Sequence, residues 1–258
     1  MLRFRSLGSG SSGNATLVEA AGGLGSTRLL VDCGLGIRQL EQRMARCDLS
    51  VFDIDAIFIT HEHADHIGCA RALALRGRIP VWMSSGTYAA IGSPDMEGLL
   101  REASDCNGID LDNLHLMPFT VPHDAREPLQ LRCTDGNRSL GILTDLGHAT
   151  AHVLQNLAHC HALLLEFNHD PELLAQSSYH PALKKRVGGK YGHLSNADAG
   201  HIASAVCHPG LATVVAAHLS RQNNLPGLAR AALGQAINRD PAAIPVADPV
   251  LGTDWIEV

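Results

Sequence analysis

No apolar run in the 258 residues reaches the about 18 to 20 unbroken positions of a membrane span, and the N-terminus lacks the apolar stretch of a secretion signal. A soluble protein is expected. The seven cysteines (Cys33, Cys47, Cys69, Cys106, Cys133, Cys160 and Cys207) include no CxxC pair and no regular framework. That excludes a disulfide scaffold and a thiolate zinc knuckle, and a reducing cytoplasm is the simplest home. Positive charge is short as well. The formal net charge is −6 with histidines neutral, the wrong sign for holding nucleic acid through the whole surface, so any such contact falls to a local patch. No repeat, low-complexity tract or long linker divides the chain. Its length suits one large core better than two full α/β domains, so a single domain over residues 1–258 is expected. Aromatic residues make up only 4%, and against that scarcity fifteen histidines stand out. Histidine is a common metal ligand, which makes their placement the question to ask.

Apolar, β-branched runs at 16–20, 28–32, 55–60, 140–145, 162–167 and 213–218 read as strands. Helical stretches at 36–46, 66–76, 150–160, 195–206 and 226–238 lie between them, which makes an α/β protein. Thr150 and the Asn196/Asp198 pair mark helix starts. The stretch GSGSSGN (8–14) has linker composition but sits between two strand candidates, so a tight Gly/Ser turn is expected. His61, Asp145, Glu166 and His218 each fall at or just past the C-terminal end of an apolar run. Active sites of α/β sheets gather at strand ends, so several ends are expected to converge on one site.

The densest chemistry is FITHEHADHIG (58–68). His61 and His63 are two apart, so on an extended segment their rings face one side. Asp65 and His66 then turn away as a helix begins. That geometry can feed two adjacent metal ions, one from each pair, whereas a mononuclear site would need only one of the pairs. Two divalent ions about 3.5 to 4 Å apart lower the pKa of a shared water and clamp the attacking and leaving oxygens of a phosphoryl displacement. Glu62 is expected to point away.

With its strand-to-loop context, HxHxDH resembles the metal motif of the metallo-β-lactamase superfamily. SLGSGSSGNAT looks like that family's N-terminal strand and turn, and LLVDCG like its early Asp-bearing strand. The resemblance runs over nearly the whole chain. It implies an αββα four-layer sandwich with a site of two divalent ions, zinc or manganese, with iron compatible. It also implies three further ligands: His123 of FTVPHDA, with His115 the nearby competitor; Asp145 of GILTDLG, with His148 beside it as the alternative; and His218 of VVAAHLS. One ion would then take His61, His63, His123 and Asp145, and the other Asp65, His66, Asp145 and His218, with Asp65 also in the catalytic set.

VPHDA, TDLGHAT, LLLEFNHD and GKYGHLSN resemble the YycJ/WalJ (VicX) group within the superfamily. That likeness implies a phosphodiesterase, a nuclease acting on DNA from an end. It also implies a proton-donating or phosphate-contacting role for His193, whose bland reading is a surface histidine beside a helix. Ser195 and Asn196 would assist it by capping and hydrogen bonding. Asp32, Glu166 and His169 are read as groups that orient ligands, with turn or cap roles as their alternatives. Lys184, Lys185, Arg186 and Lys190 form the main basic patch, with Tyr179 and Tyr191 interleaved. Beside His193 they are read as a nucleic-acid contact, DNA before RNA, the alternative being a solvated helix face. Arg221, Gln222 and Asn224 add candidate contacts. The rival functions are a small-molecule or cyclic-phosphate phosphodiesterase, an RNA-processing nuclease, a thioester hydrolase and a regulatory module without turnover.

Overall fold

The computed structural model describes residues 1–23 and 25–258. Strands β1 (Leu2–Gly8), β2 (Ala15–Gly22), β3 (Gly25–Val31), β4 (Ala56–Phe58), β5 (Val81–Met83) and β6 (Leu100–Glu102) lie side by side in one sheet. A second sheet holds β7 (Ile109–Leu111), β8 (Leu114–Thr120), β9 (Leu129–Thr134), β10 (Ser139–Leu143), β11 (Ala162–Glu166) and β12 (Thr213–Ala217). The chain then returns β13 (Ile256–Glu257) to the open edge of β1. Within the sheets, β3 to β6 run parallel, as do β10 to β12.

Apolar alternation assigns each strand's two faces to different cores. Leu29, Val31, Ala56 and Phe58 pack between the sheets against Leu131, Ile142, Leu164 and Val215. Their neighbours Leu30, Ile57 and Ile59 face outward onto α1 (Ile37–Ala45) and the helices that follow β4. Leu163, Leu165, Val214 and Ala216 face outward from the second sheet. They pack against α5 (Ala151–Leu157), α8 (Asn196–Ala205) and α9 (Pro226–Ile237). A two-residue period with both faces covered produces four layers, αββα. Gly141 lets α5 come close, because a side chain there would collide with Leu157 and Leu163. Thr150 and Asp170 cap helices as their sequence positions suggest. The Thr150 hydroxyl accepts from Val153 N–H at the start of α5, and Asp170 accepts from Glu172 and Leu173 ahead of α6 (Pro171–Gln176).

Two expectations are corrected. The helix read at 66–76 is two pieces, α2 (Ala64–Ile67) and α3 (Ala70–Gly77). Between them Gly68 takes φ 25°, and Cys69 N–H donates to the Cys33 carbonyl at 2.9 Å. A continuous helix would leave no room for the Cys33–Gly34 segment, whose backbone touches Gly68. The region 100–134, where the sequence offers a strand only around His115 and ahead of His123, contributes β6 to β9. Those strands carry half-exposed or charged positions such as Arg101, Asp110 and His115 that dilute the apolar period. Among the described residues no helix is long and apolar enough to cross a membrane, and all seven cysteines are free thiols.

Gly34 is the tightest point beneath the motif loop. An added Cβ would strike the backbone carbonyl of Asp65, and neither backbone can give way cheaply. Gly34→Ala is therefore expected to destabilise the protein by about 1–3 kcal/mol. Equilibrium urea unfolding measures it, and an unchanged midpoint would show that the loop yields freely.

Candidate metal centre

The C-terminal ends of the parallel strands from both sheets meet at one rim. Asp32 follows β3, Thr60 and His61 follow β4, Asp145 follows β10, Glu166 closes β11 and His218 follows β12. Asp32, Asp145 and His218 adopt left-handed backbone, with φ of 63°, 56° and 54°. A left-handed residue reverses the chain as it leaves the strand and projects its side chain off the sheet edge. Non-glycine residues rarely tolerate this, and such backbone clusters where a site requires it.

His61, His63 and His123 bring their ring nitrogens together. His61 Nε2 is 3.1 Å from His63 Nδ1, and His123 Nε2 is 3.3 Å from the same atom. In two of the rings an oxygen holds the opposite nitrogen. Thr60 Oγ1 is 3.0 Å from His61 Nδ1, and His123 Nδ1 donates to the Gly192 carbonyl at 3.1 Å. His63 is the least constrained, its Nε2 lying 3.9 Å from Asp124. This sets the tautomers of His61 and His123 so that lone pairs converge. Burial, joined by the neighbouring His66, His123 and His63, holds the His61 pKa well below its usual value. Burial likewise lowers the His123 pKa, so these two rings present neutral nitrogens to a cation.

Beside it stand Asp65, His66 and His218, with Asp145 between the groups. His66 Nδ1 donates to Asp32 Oδ2 at 2.8 Å, and its Nε2 lies 3.0 Å from Asp145 Oδ2. His218 Nδ1 donates to Glu166 Oε1 at 2.9 Å, and its Nε2 lies 3.7 Å from Asp65. Asp145 Oδ2 and His218 Nε2 are buried without a hydrogen-bond partner. Buried polar atoms without partners are costly, and His218 is oriented toward the cluster through its Nδ1 bond to Glu166. Nitrogen and carboxylate donors in this arrangement fit divalent cations, and the residues present match such a group.

Electrostatics without metal tell the same story. Burial opposes charge on His218, yet Asp145, Asp65 and Glu166 push its pKa up to about 10. Burial likewise opposes ionisation of Glu166, but His193 and His218 bring it down to about 2. Protons on these imidazoles occupy the place of positive charge that a cation would take.

Asp32 and Glu166 each hydrogen-bond to imidazoles of the cluster. Asp32 accepts from His66, from Thr60 N–H at 2.9 Å and from the Thr60 hydroxyl. Replacing it by alanine is expected to weaken divalent-metal affinity by roughly 10- to 100-fold. Metal titration with a competing chelator checks this, and wild-type affinity in Asp32→Ala would refute the orienting role. His169 makes no such contact: its Nδ1 is buried without a partner, and only its backbone engages Leu194 and Asn196. Glu62 turns away to accept from Arg126 N–H at 2.7 Å. His115 lies on β8 paired with Asp110, and His148 donates to the Lys190 carbonyl, so neither competitor joins the cluster.

A cleft of about 320 Å³ opens over the cluster, walled by Ser11, His63, Asp65, Asp145, Arg186, His193 and His218. His193 Nδ1 donates to Glu166 Oε1 at 2.9 Å, which puts this histidine in the wall and not on the outer surface. The other substrate expectations need correction. Ser195 caps α8, its hydroxyl bonded to Asp198, and Asn196 is buried in a reciprocal amide pair with Asn224. Neither side chain lines the cleft. Lys184 donates to the Ala175 carbonyl, while Lys185 and Lys190 point to solvent outside the cleft walls. They sit on or just after α7 (Pro181–Val187), which turns only Leu183, Arg186 and Val187 inward. Arg186 is paired with Asp124.

Sequence reasoning missed Asn14, Thr60, Ser9 and Asp124. Asn14 Nδ2 lies 3.0 Å from His66 Nε2 and donates to the Asp65 carbonyl, while Ser9 Oγ accepts from His218 N–H at 2.7 Å. These bonds pin the Gly/Ser turn onto the ligands. Thr60 and Asp124 adjoin ligand histidines in sequence and were findable there. Asn14 and Ser9 reach across tens and hundreds of residues without a local signal.

Residues 27–219 match the family described as the beta-lactamase superfamily domain. Exodeoxyribonuclease YycJ of Bacillus anthracis is 31% identical over 98% of this chain and 96% of its own length. Exodeoxyribonuclease WalJ of Streptococcus pneumoniae serotype 2 is 30% identical over 88% of this chain and 85% of its own. The metallo-beta-lactamase fold protein YhfI of Bacillus subtilis superimposes with a TM-score of 0.77 at 15% identity, covering 100% of this chain and 99% of YhfI. With the HxHxDH loop at a shared rim of two facing sheets, the chain belongs to the metallo-β-lactamase superfamily, in the group of the YycJ and WalJ proteins.

Proposed function

We propose that the protein is a phosphodiesterase that holds two divalent ions and shortens DNA from an end. The observation that carries this reading is the pair of donor clusters sharing Asp145 on the floor of a cleft walled by His193. His61, His63, His123 and Asp145 would hold one ion, and Asp65, His66, His218 and Asp145 the other. Zinc suits the imidazole-rich set, and manganese or iron is compatible with its carboxylates. The ions supply a water of lowered pKa and neutralise charge gathering on the phosphate.

The chain's own groups do the rest. Glu166 holds His193 by Nδ1, leaving Nε2 to donate. Burial works against charge on this ring, but Glu166 and Asp145 raise its pKa, so it keeps a proton for the departing oxygen. Arg186, on the cleft wall, offers a guanidinium to a non-bridging phosphate oxygen once Asp124 releases it. DNA as the substrate is supported by the names of the YycJ and WalJ relatives.

The test is degradation of end-labelled single-stranded and duplex DNA, with RNA and bis(p-nitrophenyl) phosphate alongside, in zinc- or manganese-loaded protein. Wild type is expected to shorten DNA from one end. Asp65→Ala should abolish cleavage of every substrate, and His193→Ala should lower kcat by about 10²- to 10⁴-fold. Turnover of the small diester alone would make the protein a small-molecule phosphodiesterase.

A further inference from the structure

The basic segment before His193 does not reach the cleft except through Arg186, so a bound strand needs another path. A second groove, of about 260 Å³, is walled by Ser11, Ser12, Tyr179, Ser220, Arg221 and Gln222 among others. It shares Ser11 with the metal cleft, and the chain that floors it, from Leu219 onward, directly follows the ligand His218. The two hollows therefore adjoin, with Ser11 at the tip of the Gly/Ser turn between them.

That tip is held firmly. Ser9 accepts from His218 N–H, Gly10 N–H donates to Asn14 Oδ1 at 2.7 Å, and Asn14 is tied to Asp65. Arg221 Nη2 donates to Ser12 Oγ at 3.1 Å. Among the described residues it makes no salt bridge, in contrast to Arg186. An unneutralised guanidinium steadied by a hydroxyl suits a phosphodiester oxygen. Tyr179 presents a half-buried ring whose phenol makes no hydrogen bond within the described chain. In a protein this poor in aromatics, a ring at that point suits stacking on a base.

We infer that this groove is the subsite for the nucleotide next to the scissile phosphate, with Arg221 binding its backbone phosphate and Tyr179 stacking on its base. The inference rests on the nuclease reading above. It also explains how a chain of net charge −6 holds a polyanion, through a short local path and not a broad basic face.

The experiment uses metal-loaded wild type, Arg221→Ala, Arg221→Lys and Tyr179→Ala, with single-stranded oligonucleotides and bis(p-nitrophenyl) phosphate. Each alanine variant is expected to raise KM for the oligonucleotide by roughly tenfold with kcat nearly kept, and to leave the small diester unaffected. Arg221→Ala should also reduce the salt dependence of oligonucleotide binding by about 0.7 in log–log slope, the loss of one phosphate contact, and Arg221→Lys should restore it. Equal oligonucleotide kinetics in wild type and both alanine variants would overturn the groove assignment alone. Wild type that hydrolyses the small diester but neither binds nor cuts any oligonucleotide would overturn the nuclease reading and the groove with it. Alanine variants that lose small-diester turnover as well would place these residues in the folding of the site and overturn the subsite role.

Discussion

Asp145→Ala is expected to lower kcat/KM for bis(p-nitrophenyl) phosphate on the order of 10⁴-fold and to reduce the bound divalent metal. A large effect is expected because one side chain stands among donors on two sides, grouped with His61 and His66 on one and with Glu166, His193 and His218 on the other. Asp145 Oδ2 lies 3.0 Å from His66 Nε2, while Oδ1 lies 3.4 Å from His218 Nδ1 and 3.3 Å from His193 Nδ1. Its carboxylate is buried, and its backbone sits in the left-handed region at the end of β10. The buried carboxylates Glu166 and Asp32 are not free to replace it. Glu166 is committed to His193, His218 and backbone N–H groups, and Asp32 to His66 and Thr60. Metal content by atomic emission, read beside the kinetics, separates loss of an ion from loss of fold. A variant that keeps two ions and wild-type turnover would show that Asp145 is not the shared ligand.

Glu166→Ala is expected to act on stability as well as on chemistry. Glu166 is fully buried and accepts from Leu194 N–H at 2.9 Å, Asp145 N–H at 3.2 Å and Leu146 N–H at 3.4 Å, besides the two imidazoles. Truncation leaves those N–H donors and two imidazoles without their acceptor in a dry interior. Removing one partner from such a buried set costs about 3 to 5 kcal/mol. Urea unfolding of the metal-free variant measures this, and a loss below about 1 kcal/mol would mean that water replaces the carboxylate. Glu166→Gln keeps the volume and one acceptor oxygen, but its amide nitrogen offers a donor to groups that already donate. It is expected to lose roughly 10- to 100-fold in activity with less damage to the fold.

The contrast between Glu166 and the lysines shows where local pattern carries information and where it stops. Both were read from sequence position, Glu166 at a strand end and the lysines before His193. A strand end points into the rim because the sheet dictates it. The segment 184–190 includes part of a short helix, and which of its faces meets the cleft depends on how α7 packs. That packing set the exposed Arg186 on the cleft wall and left Lys185 and Lys190 away from it. Ser195 and Asn196 followed the same rule: their types suit hydrogen bonding, but the cap of α8 and the amide pair with Asn224 had already taken them.

What the sequence by itself determined is local and periodic. Continuous apolar runs specify the strands covered on both faces, and HxHxDH specifies how two pairs of candidate ligands leave β4, because spacing of two and three residues acts within one turn of backbone. The tertiary structure alone decided what crosses long separations. It brought Asn14 to Asp65, Ser9 to His218, Thr60 between Asp32 and His61, and the Gly192 carbonyl to His123. Those contacts arise where two parallel strand sets end at a common rim, and no residue's nearest neighbours in sequence encode the meeting of two sheets.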